Sequence, residues 1–399
     1  MNRQRLPLFF LLFGTMLLFG LIENIKGVSY PLIKAEFNAS WEQQGLMVSM
    51  FSFAYVGFSI VAGIFLGKFG IKPSFLFGFA ALSIGLVLVF FMPSFFTAAA
   101  AIFVIFAGFG FFEVGVNALA SRVFTARAGL LMSLLHSFYG IGAIAAPKAA
   151  GMIAANAGLG WRYVYLFSLP LALLLFIPAI FTGFPKDGRL HSGADSPEGG
   201  VRRKSFFDAL HSPLVWLFSV TLGLAMVVEM NSANWGPLYF QDVYGLDPRS
   251  GGAAFLSTFF LAFTFSRLVC GVFVEKIGYM RSLLGLAVII LAVFLAGFCL
   301  GEKGVFVLPV LGFFIALLWP TIMALAIVCF GADAPVFSSA MIAIGGTINA
   351  SVQFLVGLTN RLFGPAWGYR SSLVYTVLLA AALIILSCNI RPVQKPVGS

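Results

Sequence analysis

Glu113 and Asn117 stand four residues apart in the stretch FGFFEVGVNALASRVF (residues 109–124), inside a run that is otherwise apolar. Helical spacing puts the two on one face, and Ser121 continues the polar line. Ionisable groups at membrane depth are expensive and mark ion pathways and proton relays. Glu113 is therefore a candidate proton-coupling carboxyl. Asn117, one turn away, can hydrogen-bond a substrate hydroxyl or hold the carboxylate. The alternative is a structural ion pair between Glu113 and Lys26 or Lys148.

Other polar groups sit at comparable depth. Glu23 and Lys26, three residues apart, either neutralise each other or join a binding or coupling site, and Gly20, Gly27 and Tyr30 share roughly their face. Glu229 opens EMNSANWGPLY, which also carries Asn234, Trp235 and Tyr239; it is a candidate for coupling or substrate contact. Trp235 and Tyr239 read either as site aromatics or as members of an interfacial belt. His136 can relay protons, since an imidazole titrates near neutrality, or serve as a hydrogen-bonded structural group. Lys148 either answers Glu113 or attracts an anionic substrate. Arg267 is expected to pair with an acid. Asn349 and Gln353 lie i, i+4 behind Gly345–Gly346, a pair that permits bending, and their amides can contact substrate.

The elements that position these groups are read from the apolar runs. The chain of 399 residues is 60% hydrophobic and 10% charged, against about 25% charged in soluble domains. About twelve runs are long enough to cross roughly 30 Å of hydrocarbon: 7–33, 43–67, 74–93, 95–121, 128–155, 161–183, 212–240, 250–274, 282–300, 304–331, 335–360 and 368–389. LPLFFLLFGTMLLFGLI runs on into Glu23 and Lys26 rather than a small-residue cleavage site, so it reads as a span and not a signal peptide. One connection is long and polar, FPKDGRLHSGADSPEGGVRRKS (184–205), and its composition predicts a linker. The expected organisation is an N-terminal six-helix bundle (1–185), a cytoplasmic linker (186–210) and a C-terminal six-helix bundle (211–399).

Lys and Arg set the orientation. If the first run starts in the cytoplasm, 15 of the 24 fall on inner segments and 6 on outer loops. This bias places both termini and the linker inside. The net charge of +10 is scattered over short loops without interleaved aromatics, so nucleic acid is not an expected partner. Cys270, Cys299, Cys329 and Cys388 lack metal-ligand spacing, and no metal or other cofactor is expected. His191 and His211 accompany no nucleophile motif, and there is no P-loop. An enzyme and a nucleotide-driven pump are both disfavoured.

The halves resemble each other. GIFLGKFGIKPS (63–74) and GVFVEKIGYMRS (271–282) share five of 12 positions, and WRY at 161 has a counterpart in WGYR at 367. Parallel repeats of this kind predict two bundles related by an axis along the membrane normal, able to rock about a site held between them.

With these features the chain resembles the major facilitator superfamily. That family's loop between helices 2 and 3 runs Gly-x-x-x-acid-Arg/Lys-x-Gly-x-Arg/Lys. Gly63, Lys68, Gly70 and Lys72 match it, Gly67 stands where the acid would be, and the second copy keeps Glu275, Lys276, Gly278 and Arg281. The resemblance implies that these residues form a conformational latch. GFGFFEVGVNAL, LLHSFYGIGAIAAP (134–147) and VVEMNSANWGPLY are further similar to segments of the fucose/galactose/glucose–proton symporter subfamily. This likeness implies an all-α fold of twelve helices and proton-coupled uptake of a sugar or related polar molecule by rocker-switch alternating access. Glu113, Glu23 and Glu229 would serve coupling. Asn117, Glu229, Asn234, Trp235, Asn349, Gln353, Lys26 and Lys148 would serve substrate, with Trp235 offering its face to a sugar ring. The expected partners are a small-molecule substrate, protons or sodium, and the bilayer of the cell membrane, for a chain that is a monomer in the family's usual form. Export of amphipathic or drug-like compounds, transport of an organic anion through Lys26 and Lys148, and ligand sensing without transport are the alternatives.

Overall fold

The computed structural model describes residues 6–124, 128–156, 159–185 and 206–390. Among these residues the chain is helical and contains no strand, and twelve helices are long and apolar enough to cross a membrane. They are α1 (Leu6–Glu36), α2 (Trp41–Phe69), α3 (Ile71–Phe91), α4 (Phe95–Val123), α5 (Ala128–Ala155), α6 (Trp161–Phe181), α7 (Pro213–Tyr244), α8 (Pro248–Val269), α9 (Tyr279–Cys299), α10 (Gly301–Phe330), α11 (Ala334–Phe363) and α12 (Trp367–Asn389). Most of the expected linker lies outside the described residues; its last part, Phe206–Leu210, is a short helical turn.

Local chemistry fixes many of the boundaries. Ser40 begins α2 with a reciprocal cap, its side chain accepting from the Gln43 amide while Gln43 accepts from the Ser40 amide. Ser94 and Thr97 do the same for α4. Such pairs satisfy donors that a helix start leaves open. Gly245 stops α7 in the left-handed conformation, φ 68°.

The chain forms two compact units, residues 1–200 with 247–257, and residues 201–246 with 258–399. The core of the first is rich in phenylalanine: Phe19 stacks on Phe109 at 4.5 Å, and Phe79 meets Phe112 edge-on at 4.8 Å. The outward faces of the helices carry exposed Ile64, Phe91, Phe181 and Phe306, as lipid contact requires.

The matched loops of the two halves share a backbone signature. Gly70 ends α2 at φ 90°, and Gly278, its counterpart in the repeat, has φ 94°. Both angles lie in the region that side chains with a Cβ rarely enter, which accounts for a glycine at the same place in each copy. Lys72 then donates to the carbonyls of Ile180 (2.6 Å) and Thr182 (3.0 Å), placing a cation at the carboxyl end of α6 where it is favourable.

Candidate functional site

α1 is interrupted at Ile25, between Glu23 and Lys26. The amides of Val28 and Ser29 both turn to the Ile25 carbonyl, and Pro31 can donate no backbone bond to the turn before it. The break leaves the two charged side chains facing each other, with Lys26 Nζ 3.3 Å from Glu23 Oε1. The other oxygen, Oε2, accepts from the Tyr139 hydroxyl at 2.6 Å. Asn24 donates to the Gly20 carbonyl at 2.9 Å and reaches Tyr139 Oη at 3.4 Å. α5 comes this close because of its glycines. A Cβ on Gly20 would strike the Tyr139 carbonyl, and one on Gly142 would strike the carbonyl of Leu17. Gly20 is thus explained by helix packing.

Glu113 has different company. Asn117 Nδ2 lies 3.2 Å from its Oε1 and 2.7 Å from its backbone carbonyl, and the Tyr55 hydroxyl approaches the carboxylate. Glu23 is near enough to act on it electrostatically. Among the described residues no cation pairs with Glu113. The alternative pairing of Glu113 with Lys148 is not found, and Lys148 is exposed on α5. Lys26 is committed to Glu23.

The second unit holds a cluster of neutral amides. Gln353 on α11 is fully buried, and its Oε1 accepts from Trp235 Nε1 at 2.9 Å and from Asn234 Nδ2 at 3.2 Å. Its Nε2 donates to Asn231 Oδ1 and Asn349 Oδ1, each at 3.2 Å. Asn231 passes the chain on to Ser372 Oγ at 3.3 Å. Gln353 thus uses two acceptor and two donor positions, the full capacity of a side-chain amide. Asn234 Oδ1 is left buried without a partner.

Trp235 and Tyr239 are 1% and 2% exposed, so they belong to the interior of their bundle and not to an interfacial belt. Gly345 on α11 lies against Gly223 and the Ser219 carbonyl of α7, so close packing accounts for it. Glu229 is half-buried on α7 and His136 exposed on α5, each with contacts of its own. Arg267 does not pair with an acid as expected: its Nε donates to the Ala316 carbonyl at 3.3 Å and its guanidinium lies 4.3 Å from the Phe263 ring centroid. Among the latch candidates, Gly63, Lys68, Glu275, Lys276 and Arg281 are exposed and Gly70 is buried at the end of α2.

Sequence reasoning missed Tyr55, Tyr139, Asn24 and Asn231. Asn231 was visible in EMNSANW, and Tyr139 stands three residues after His136, but both acquire meaning only through partners more than 100 residues away.

Comparison with known proteins fits this architecture. The chain is 24% identical over 394 residues to the L-fucose-proton symporter of Escherichia coli, covering 89% of this chain and 88% of that protein. It is 25% identical over 265 residues to a probable sulfoacetate transporter of Cupriavidus necator; the match takes in 61% of this chain and spans 60% of that relative's length. Among solved structures, the E. coli fucose:proton symporter superposes with a TM-score of 0.66 at 20% identity, covering 97% of this chain and 99% of that one. The nucleoside transporter NupG superposes with a TM-score of 0.78 at 12% identity, covering 96% and 100%. The family model described as Major Facilitator Superfamily matches residues 11–344, and the chain belongs to that superfamily of multi-pass membrane transporters.

Proposed function

We propose that this transporter couples uptake of a small, neutral, hydroxyl-bearing substrate of the sugar class to protons through alternating access in the cell membrane. One observation carries the reading: Glu113 is a carboxyl that accepts from Asn117 and faces the Tyr55 hydroxyl, and no cation among the described residues pairs with it. A carboxylate compensated by lysine has little reason to exchange its proton, whereas one held by neutral donors can alternate between charge states. Glu23 is compensated by Lys26 and acts as its electrostatic neighbour.

The neutral cluster of the second unit supports the substrate class. Asn231, Asn234, Asn349 and Gln353 include no charged group, and Asn234 Oδ1 is an acceptor without a donor. A substrate hydroxyl can supply that donor. The likeness to the L-fucose-proton symporter agrees with both parts of the reading.

The test is proton flux. Purified protein is reconstituted into liposomes carrying an internal pH dye and challenged with a panel of sugars, organic anions and amphiphilic cations. A sugar that drives proton entry in the wild type and none in Glu113→Gln is the expected result. Proton movement with amphiphiles only, or sugar-driven movement unchanged in Glu113→Gln, rejects it. A second reading, transport of an organic anion, is favoured by the burial of Lys26 (5% exposed) and by the probable sulfoacetate transporter among the relatives. On that reading Lys26→Gln abolishes uptake of the anion, and no sugar moves protons.

A further inference from the structure

The two halves carry related loops before their last helices: Trp161, Arg162 and Tyr163 in the first, Trp367, Gly368, Tyr369 and Arg370 in the second. In the first unit the cation is answered. Arg162 Nη1 donates to Glu36 Oε1 at 2.6 Å, and its Nη2 donates to the Met92 carbonyl at 3.0 Å. Trp161 Nε1 donates to the other Glu36 oxygen at 2.6 Å.

In the second unit Gly368 stands opposite Arg162, and the loop's cation, Arg370, comes two positions later and has no carboxylate. Arg370 is half-buried, no acid among the described residues lies within 4.0 Å of it, and its Nε is buried without an acceptor. Its surroundings are aromatic. The guanidinium carbon lies 5.8 Å from the Tyr239 ring centroid and 5.9 Å from that of Trp367. It also approaches the Tyr239 hydroxyl, which shares a 3.1 Å hydrogen bond with that of Tyr244.

A guanidinium presents five N–H donors in a rigid plane that matches a carboxylate, sulfonate or phosphate. Ring faces attract the positive charge but are poor acceptors for those donors. A donor left without an acceptor in partly desolvated surroundings is costly, and an oxyanion relieves that cost through short charge-assisted bonds. Glu36 does this for Arg162 from within the chain, while Arg370 in the second half is left for a group from outside.

We propose that Arg370, flanked by Tyr239 and Trp367, is an oxyanion-binding site in the second unit, separate from the amide cluster and independent of the sugar reading. The ligand is a carboxylate, sulfonate or phosphate group. It comes either from a soluble anion or from the headgroup of an anionic lipid.

The experiment measures thermal unfolding of the full-length protein, purified in a neutral detergent and stripped of lipid. One arm titrates sodium methanesulfonate at ionic strength held constant with chloride. The other titrates phosphatidylglycerol, with phosphatidylcholine as control. The expected result is a saturable rise in the unfolding midpoint in at least one arm, with apparent affinity at least tenfold weaker in Arg370→Gln. A rise with methanesulfonate identifies a soluble anion, and a rise confined to phosphatidylglycerol identifies a headgroup. No rise in either arm, or an equal rise in Arg370→Gln, overturns the proposal. Should Arg370→Gln fail to fold, Arg370→Lys keeps the charge and loses the planar fork. Unchanged affinity in that variant overturns it equally.

Discussion

The indole of Trp235 donates to the side-chain oxygen of Gln353 at 2.9 Å, and that one bond sets the direction of the amide cluster. An indole N–H can only donate, so the oxygen of Gln353 must face it. The Gln353 nitrogen then faces Asn231 and Asn349, and Asn234 must donate to the shared oxygen, keeping its own oxygen open. A single donor-only side chain thereby determines which hydrogen-bonding group the cluster presents.

Trp235→Phe keeps the aromatic ring and removes that donor. Gln353 is then free to turn, and its buried oxygen loses one of its two donors, at a cost of about 1–3 kcal/mol. The expected outcome is a lower unfolding midpoint together with a roughly tenfold weaker apparent affinity in counterflow of the proposed sugar substrate, if each kcal/mol lost appears in binding. Thermal unfolding and counterflow on the same preparation check it. A variant that keeps both values would show that Trp235 contributes surface alone.

Glu23 and Lys26 are expected to behave as a pair. Their side chains are 16% and 7% exposed, so removing one charge strands the other in a poorly solvated place. Lys26→Gln alone should cost about 3–5 kcal/mol, and adding Glu23→Gln should recover much of that loss. A double-mutant cycle by thermal unfolding reads the coupling directly. Additive losses would mean that the two charges are stabilised independently.

The Arg162–Glu36 contact should be worth less, although its bonds are shorter. Its side chains are 24% and 41% exposed, and ion pairs in contact with water contribute about 0–1 kcal/mol. Glu36 also accepts from Trp161, so Glu36→Gln should cost on the order of 1–2 kcal/mol. Part of that cost should vanish at high salt, where exposed charges are screened. Unfolding midpoints of wild type and Glu36→Gln in low and high salt would converge by that part; a salt-independent gap would assign the whole effect to the Trp161 bond.

The spans were legible in the sequence because lipid demands long apolar runs with internally satisfied backbones, a demand written into every residue of a run. The apolar pattern predicts α4 over 95–121, and it runs Phe95–Val123; it predicts α6 over 161–183, which ends at Phe181. The repeat was legible too, and Gly70 and Gly278 show it in their backbone angles. Candidate site residues were visible one at a time, since an intramembrane Glu or Asn stands out. Their partners were not. Helical spacing pairs Glu113 with Asn117 and Asn349 with Gln353, yet no spacing rule joins Tyr139 to Glu23 or Gln353 to Asn231. Lys148 shows the same limit, because a lysine in an apolar run reads as buried until the helix's exposed face is known.

Glycine positions offer a test of packing that is separate from charge. A Cβ at Gly142 would meet the Leu17 carbonyl and the Leu21 amide of α1, both backbone atoms that cannot swing aside. Gly142→Ala must therefore push α5 away from α1, lengthening the Tyr139–Glu23 bond that bridges the same two helices. Overpacking of this kind costs about 1–3 kcal/mol, so the variant should unfold at lower temperature and lose the proposed sugar-driven proton flux together. Gly63, by contrast, has nothing within 4 Å of an added Cβ. Gly63→Ala should leave stability unchanged within about 0.5 kcal/mol or raise it slightly, because alanine favours a helix interior. Measuring both variants beside the wild type separates a close helix crossing from a general intolerance of substitution. Equal losses at the two sites would show that the contact between α1 and α5 is not what Gly142 protects.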